Sequence, residues 1–162
     1  MWGTGDFTHP AWREELKEKL EPAEDGLYTL KDEYRIHDAA APDDRRPRFV
    51  VTGEISSIYK QGERVRKVHS LLLLPGLEAA DMLSARLELI GNIHSDGRPI
   101  LGLDSRDLLE LTLDTCPDAE SSRSTSGRPL RSVWRLLRLR YHGGVLRGSD
   151  RPHPRGGDGP LL

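Results

Sequence analysis

The chain is short of cysteine, of aromatic residues and of long apolar runs. A single cysteine, Cys116, in 162 residues excludes an internal disulfide and fits a reducing compartment. Aromatics are 6% of the chain, hydrophobic residues 36%, and the mean hydropathy is -0.58, so the chain is polar overall. Its length is nonetheless that of one domain able to bury a core. The tetraleucine run at 71–74 is too short to cross a bilayer, and the N-terminus lacks a basic-then-apolar signal pattern. No membrane association and a cytoplasmic location are therefore expected.

Lysine is missing altogether from residues 120–162. That segment carries nine Arg and three acids, a net charge of +6, whereas residues 1–119 carry 15 Lys and Arg against 23 Asp and Glu, a net of -8. The tail also holds seven of the 16 glycines. Such a composition buries too little surface to offset its ordering entropy, so 120–162 is expected to be disordered. It reads either as a basic arm that binds nucleic acid or as a stretch that is not an evolved segment.

What is present in 1–119 alternates between periods. WGTGDF (2–7) reads as a strand end running into a turn. Pro10 opens a helix over 11–22, with Trp12, Leu16 and Leu20 on its core face. Residues 77–93 place Ala80, Leu83, Leu87 and Ile90 on one stripe, and Asp104 with Asp107 marks the start of a helix over 105–116. Strands separated by helices predict an α/β unit whose chemistry sits at strand ends.

Between the helices, RFVVTGEISSIYK (48–60) and RVRKVHSLLLLP (64–75) predict a β-hairpin. With Gln61 and Gly62 as a two-residue turn, Glu54 stands directly opposite His69, with Cβ atoms about 4.5–5.5 Å apart. A carboxylate and an imidazole on one face can share a divalent metal, although on these residues alone a solvated cross-strand polar pair is the favoured reading.

GTGDFTHP (3–10), LKEKLEPAEDGLY (16–28), VTGEISSIYK (51–60), VRKVHSLLLLP (65–75) and LSARLELIGNIHSDGRPILGLDSRDLLEL (83–111) resemble, in order, the endonuclease Q family of the polymerase-and-histidinol-phosphatase (PHP) superfamily. The resemblance covers nearly all of 1–119, apart from the polar stretch around 32–47. It implies a partial PHP-like domain over 1–119, an incomplete slice of a distorted (β/α) barrel. It further implies hydrolysis of DNA beside deaminated bases or at abasic sites, with damaged DNA as partner and zinc or manganese as cofactor. His9, Glu54 and His69 match the family's metal ligands, and Asp6 is implied as a positioning partner. Such metals lower the pKa of a bound water for in-line attack on phosphate. His94, in a turn-rich connection, is expected to be structural or to face DNA, and His37 is given no role.

The departures from the family are as informative. Its initial His-x-His strand, the histidine-bearing strand after the helix ending near Cys116, and a later Asp-x-His motif have no counterparts in this sequence. GSDRPHP (148–154) resembles the last only loosely, because two residues rather than one separate Asp150 from His153. A one-nucleotide shift of reading through 138–162 permits family-like strings, so the tail reads as a frameshift product. The sequence thus predicts a truncated endonuclease that is inactive by itself. The alternatives are a non-enzymatic nucleic-acid binder acting through its basic tail and a small PHP-type phosphoesterase.

Overall fold

Strand β4 organises the computed structural model, which describes residues 1–36, 46–95 and 98–124. It runs over Phe49–Gln61 and turns back through Gly62 and Glu63 into β5, Arg64–Leu74. The elements before it are β1 (Trp2–Gly3), α1 (Pro10–Lys19), β2 (Leu20–Pro22), β3 (Tyr28–Leu30) and a 3-10 turn at Asp32–Tyr34. After it come α2 (Leu77–Glu88), β6 (Ile100–Leu101), α3 (Ser105–Thr115) and β7 (Glu120–Ser124). Among the described residues the strands form one sheet in the order β2-β3-β4-β5-β7, with β1 and β6 pairing in parallel to β4. The remaining pairings are antiparallel. Mixed helix and sheet agree with the expected α/β class, although the sheet is mainly antiparallel.

Period-2 alternation divides the hairpin into two faces. Val51, Gly53, Ile55, Leu72 and Leu74 share one, and the apolar members of this set join the core with Phe7, Leu16, Leu20, Ala80, Leu83 and Leu87. Glu54, Ser56, His69 and Leu71 lie on the other. The glycine-adjacent turn explains the register. Gly62 has φ +62, which places it first in a two-residue loop with a left-handed opening residue, the requirement of a type II′ hairpin. Gln61 therefore pairs with Arg64, Ser56 faces His69, and Glu54 faces Leu71. The direct opposition of Glu54 and His69 is thus corrected: the ladder is offset by two residues, which preserves the face and makes the pair diagonal.

The helices start where expected and end early. Leu16 and Leu20 are buried and Trp12 packs against them, but α1 stops at Lys19 because Leu20 already joins β2. On α2, Ala80, Leu83 and Leu87 are buried, whereas Ile90 lies beyond the helix end and is 44% exposed. Asp104 caps α3, its carboxylate accepting from Arg106 N at 2.8 Å. Residues 120–124, which composition assigns to the tail, form β7, which pairs with β5 from Glu120 opposite Leu73 to Ser124 opposite His69. His37 and the motif bearing Asp150 and His153 lie outside the described residues.

Candidate active site

The candidate site forms where the N-terminal segment meets β4. Trp2 and Gly3 pair with Phe49 and Val50. Thr4 and Phe7 then donate to the carbonyls of Val50 and Thr52, so this segment reaches along β4 to within two residues of Glu54. Thr4 Oγ1 accepts from Thr52 N at 3.1 Å, and Thr52 Oγ1 accepts from Gly5 N at 2.9 Å. The aromatic ring of Phe7 lies on the backbone of Gly53, where any Cβ would collide with it.

Helix α1 clamps the same segment from the other side. Trp12 Nε1 donates to the Thr4 and Gly5 carbonyls at 3.2 and 3.1 Å. Arg13 Nη1 donates to the Phe7 and Thr8 carbonyls at 3.0 Å each and to Ser84 Oγ at 3.1 Å, while its Nε pairs with Asp81 at 2.8 Å. One half-buried guanidinium thereby joins the loop, α1 and α2. In the sequence Arg13 is one charge among many in WREELKEK, and nothing there distinguished it.

His9 is the N-cap of α1, its Nδ1 accepting from Trp12 N at 3.4 Å. Asp6, with φ +37, offers its carbonyl to His9 N at 2.9 Å. Both residues therefore lie in the turn that the clamp holds. Asp6 meets His9 through its backbone carbonyl.

Glu54 and His69 meet on the face away from the core. His69 Nδ1 lies 2.9 Å from Glu54 Oε1, and Arg98 Nη1 reaches the same oxygen at 2.8 Å. The histidine contact is close but not aligned as a hydrogen bond, so the buried Nδ1 has no directed partner. A cation held by both the nitrogen and the carboxylate would give the Nδ1 a directed partner. Carboxylate and imidazole are also a suitable donor pair for zinc or manganese. The fit is that of a partial ligand set: among the described residues no group of three or more His, Cys, Asp and Glu is arranged to hold a metal ion. Glu54 and His69 come together as donors, whereas His9 is not gathered with them into such a cluster.

Arg98 was not legible in advance. It lies in the connection between α2 and β6, 44 residues from Glu54, and only the parallel pairing of β6 with β4 at Ser56 and Ser57 brings it there. His94, in the same connection, is exposed and pairs through Nε2 with Glu88 at 2.6 Å.

No family model matches the chain, and no curated protein does. Two solved structures are similar to it. The first is a crystal structure of endonuclease Q in complex with a 27-mer duplex substrate with an abasic lesion at the active site. It aligns with a TM-score of 0.53 and 27% identity over 74% of this chain. The likeness is to endonuclease Q. The second, the lesion-specific endonuclease PfuEndoQ from Pyrococcus furiosus, aligns with a TM-score of 0.54 and 25% identity over 82% of this chain. This chain spans 25% and 28% of those two proteins. The resemblance read from the sequence and the likeness of the structure thus reach the same family.

Proposed function

We propose that this chain is part of a DNA-repair endonuclease of the endonuclease Q type, a segment of a PHP-type barrel that contributes Glu54 and His69 to a hydrolytic metal centre. The observation that carries this reading is the buried, unsatisfied Nδ1 of His69 beside the Glu54 carboxylate, in a fold similar to an endonuclease Q bound to a lesion-bearing duplex. The substrate class is duplex DNA with an abasic site or a deaminated base. A divalent metal bound there supplies a water acidified for attack on the phosphodiester.

The chain's own residues have separable tasks in this reading. Glu54 and His69 donate to the cation, and Arg98 orients Glu54 Oε1 while offering a guanidinium to a neighbouring phosphate. The loop at 3–9, clamped by Trp12 and Arg13, holds His9 at the head of α1; the resemblance implies it as a third ligand, although among the described residues it is not gathered with Glu54 and His69.

Zinc and manganese retained after gel filtration, measured by mass spectrometry, test the reading. Glu54→Gln and His69→Asn are expected to lower metal affinity at least tenfold. His9→Asn separates ligation from capping, because asparagine is itself a strong N-cap. Its thermal midpoint is expected to match the wild type while its metal affinity falls. Metal retention unchanged in the Glu54 and His69 variants overturns the proposal. Incision of an abasic duplex by the wild-type chain, measured alongside, would refute the expectation that it is inactive by itself.

A further inference from the structure

The far end of the β4–β5 hairpin is unlike the rest of the folded region. Residues 60–67, KQGERVRK, are all exposed. They carry four cations and one acid, while the remainder of 1–119 carries 11 cations and 22 acids. Cations elsewhere are mostly engaged: Arg13 and Lys17 with Asp81, Lys19 with Glu15, Arg46 with Asp32, Arg98 with Glu54 and Arg106 with Glu110. Lys60, Arg64, Arg66 and Lys67 make no side-chain hydrogen bond or ion pair among the described residues. Among the described residues no strand pairs with the arm, since β6 pairs with β4 at Ser56 and Ser57 and β7 with β5 from Leu73 to His69.

Unpaired charge of one sign on an otherwise acidic domain calls for an anionic partner. Protecting an exposed sheet edge is the competing role for such residues, but either sign of charge serves that end. Geometry adds a direction. Alternation puts Lys60 and Lys67 on the same face as Glu54 and His69. Six residues of strand separate Glu54 from Lys60, a span of about 20 Å. Over that length duplex DNA presents roughly a dozen phosphates. A two-stranded ribbon is also of a size that the major groove admits.

We propose that the distal β4–β5 hairpin is a duplex-DNA docking arm, in which Lys60 and Lys67 lead the duplex onto the Glu54–His69 face while Arg64 and Arg66, on the opposite face of the ribbon, engage flanking backbone phosphates. The inference rests on the endonuclease reading for its choice of partner. Contacts of this kind carry no base information, so the arm binds damaged and undamaged duplex alike and acts before any lesion is recognised.

The test uses the full chain and two fluorescein-labelled duplexes, one with an abasic site and one without, with anisotropy measured over a range of salt concentrations. Neutralising the arm (Lys60→Gln, Arg64→Gln, Arg66→Gln and Lys67→Gln together) is expected to weaken binding to both duplexes equally. It should also reduce the slope of log K against log salt by about 3 to 4, close to one for each phosphate that the variant leaves unneutralised. The double variant Lys60→Gln/Lys67→Gln should reduce it by about 2, which keeps the test decisive if the fourfold variant fails to fold. A slope unchanged in a folded variant overturns the docking arm and leaves the endonuclease reading standing. Reduced slopes together with metal retention indifferent to Glu54→Gln keep the arm and overturn the endonuclease reading. Binding to phosphatidylcholine–phosphatidylserine vesicles that depends on the four cations, with no effect on duplex binding, also overturns the proposal.

Discussion

Gly53 shows how a single residue without a side chain shapes the site. A Cβ at that position would stand 2.5 Å from Cδ1 and 2.7 Å from Cε1 of Phe7, whose ring is fully buried in the core. The ring has nowhere to retreat, so Gly53→Ala is expected to destabilise the fold by about 1–3 kcal/mol. Urea unfolding measures that loss, and a variant as stable as the wild type would show that the ring can slide. Cys116 is the matching case for chemistry. Its thiol is buried at the end of α3 and donates to the Ala79 carbonyl at 3.6 Å. Burial pushes its pKa above the ordinary thiol value, and the charge of Arg86 only partly opposes this. Above about pH 8.5 the unfolded chain releases a proton that the folded chain keeps, so stability falls as pH rises through that region. Removing the thiol with Cys116→Ala should remove that part of the pH dependence. A thiol reagent should react with the native protein no faster than the protein opens, and fast native labelling would contradict the buried placement.

At the scale of the element, α1 and the hairpin solve different problems. Helix α1 packs on the core through Leu16 and reaches backward with Trp12 and Arg13 to hold the loop that precedes it. Arg13→Lys keeps a cation for Asp81 but has no planar fork for two carbonyls at once. A loss of about 1–3 kcal/mol is expected from the unsatisfied Phe7 and Thr8 carbonyls. Faster amide hydrogen exchange over residues 5–9, with α3 unaffected, would locate the loss in the clamp; uniform acceleration would assign Arg13 a general packing role instead. The hairpin depends on its turn. Because Gly62 rather than Gln61 opens the loop, the ladder is offset by two, and Glu54 meets His69 diagonally. An offset of one residue would have put Glu54 and His69 on opposite faces of the hairpin.

Across the whole molecule, the sheet is completed by residues that composition assigns to the tail. Glu120 through Ser124 cover the edge of β5 along Leu73 to His69, next to the candidate site. A chain ending at residue 119 is therefore expected to be less stable than one ending at residue 124, by at least about 2 kcal/mol for the lost ladder. It should also aggregate more readily through the uncovered edge. Equal melting of the two chains would show that β7 adds nothing to the sheet. Much of this architecture was legible in local pattern. Alternation located β4 and β5 and put Glu54 and His69 on a common face, a property of parity that survives any two-residue offset. Apolar spacing found Leu16, Leu83 and Leu87 in the core, and Asp104 announced α3. The strings at 51–60 and 65–75 pointed to the endonuclease Q family that the fold resembles. Tertiary structure alone decided that Arg13 ties the loop to α2, that Arg98 reaches Glu54 from 44 residues away, and that β7 pairs with β5. The division has a physical cause. Side-chain periodicity is set by neighbouring backbone dihedrals and is written residue by residue, whereas long-range partners are chosen by which surfaces bury one another once the chain has closed.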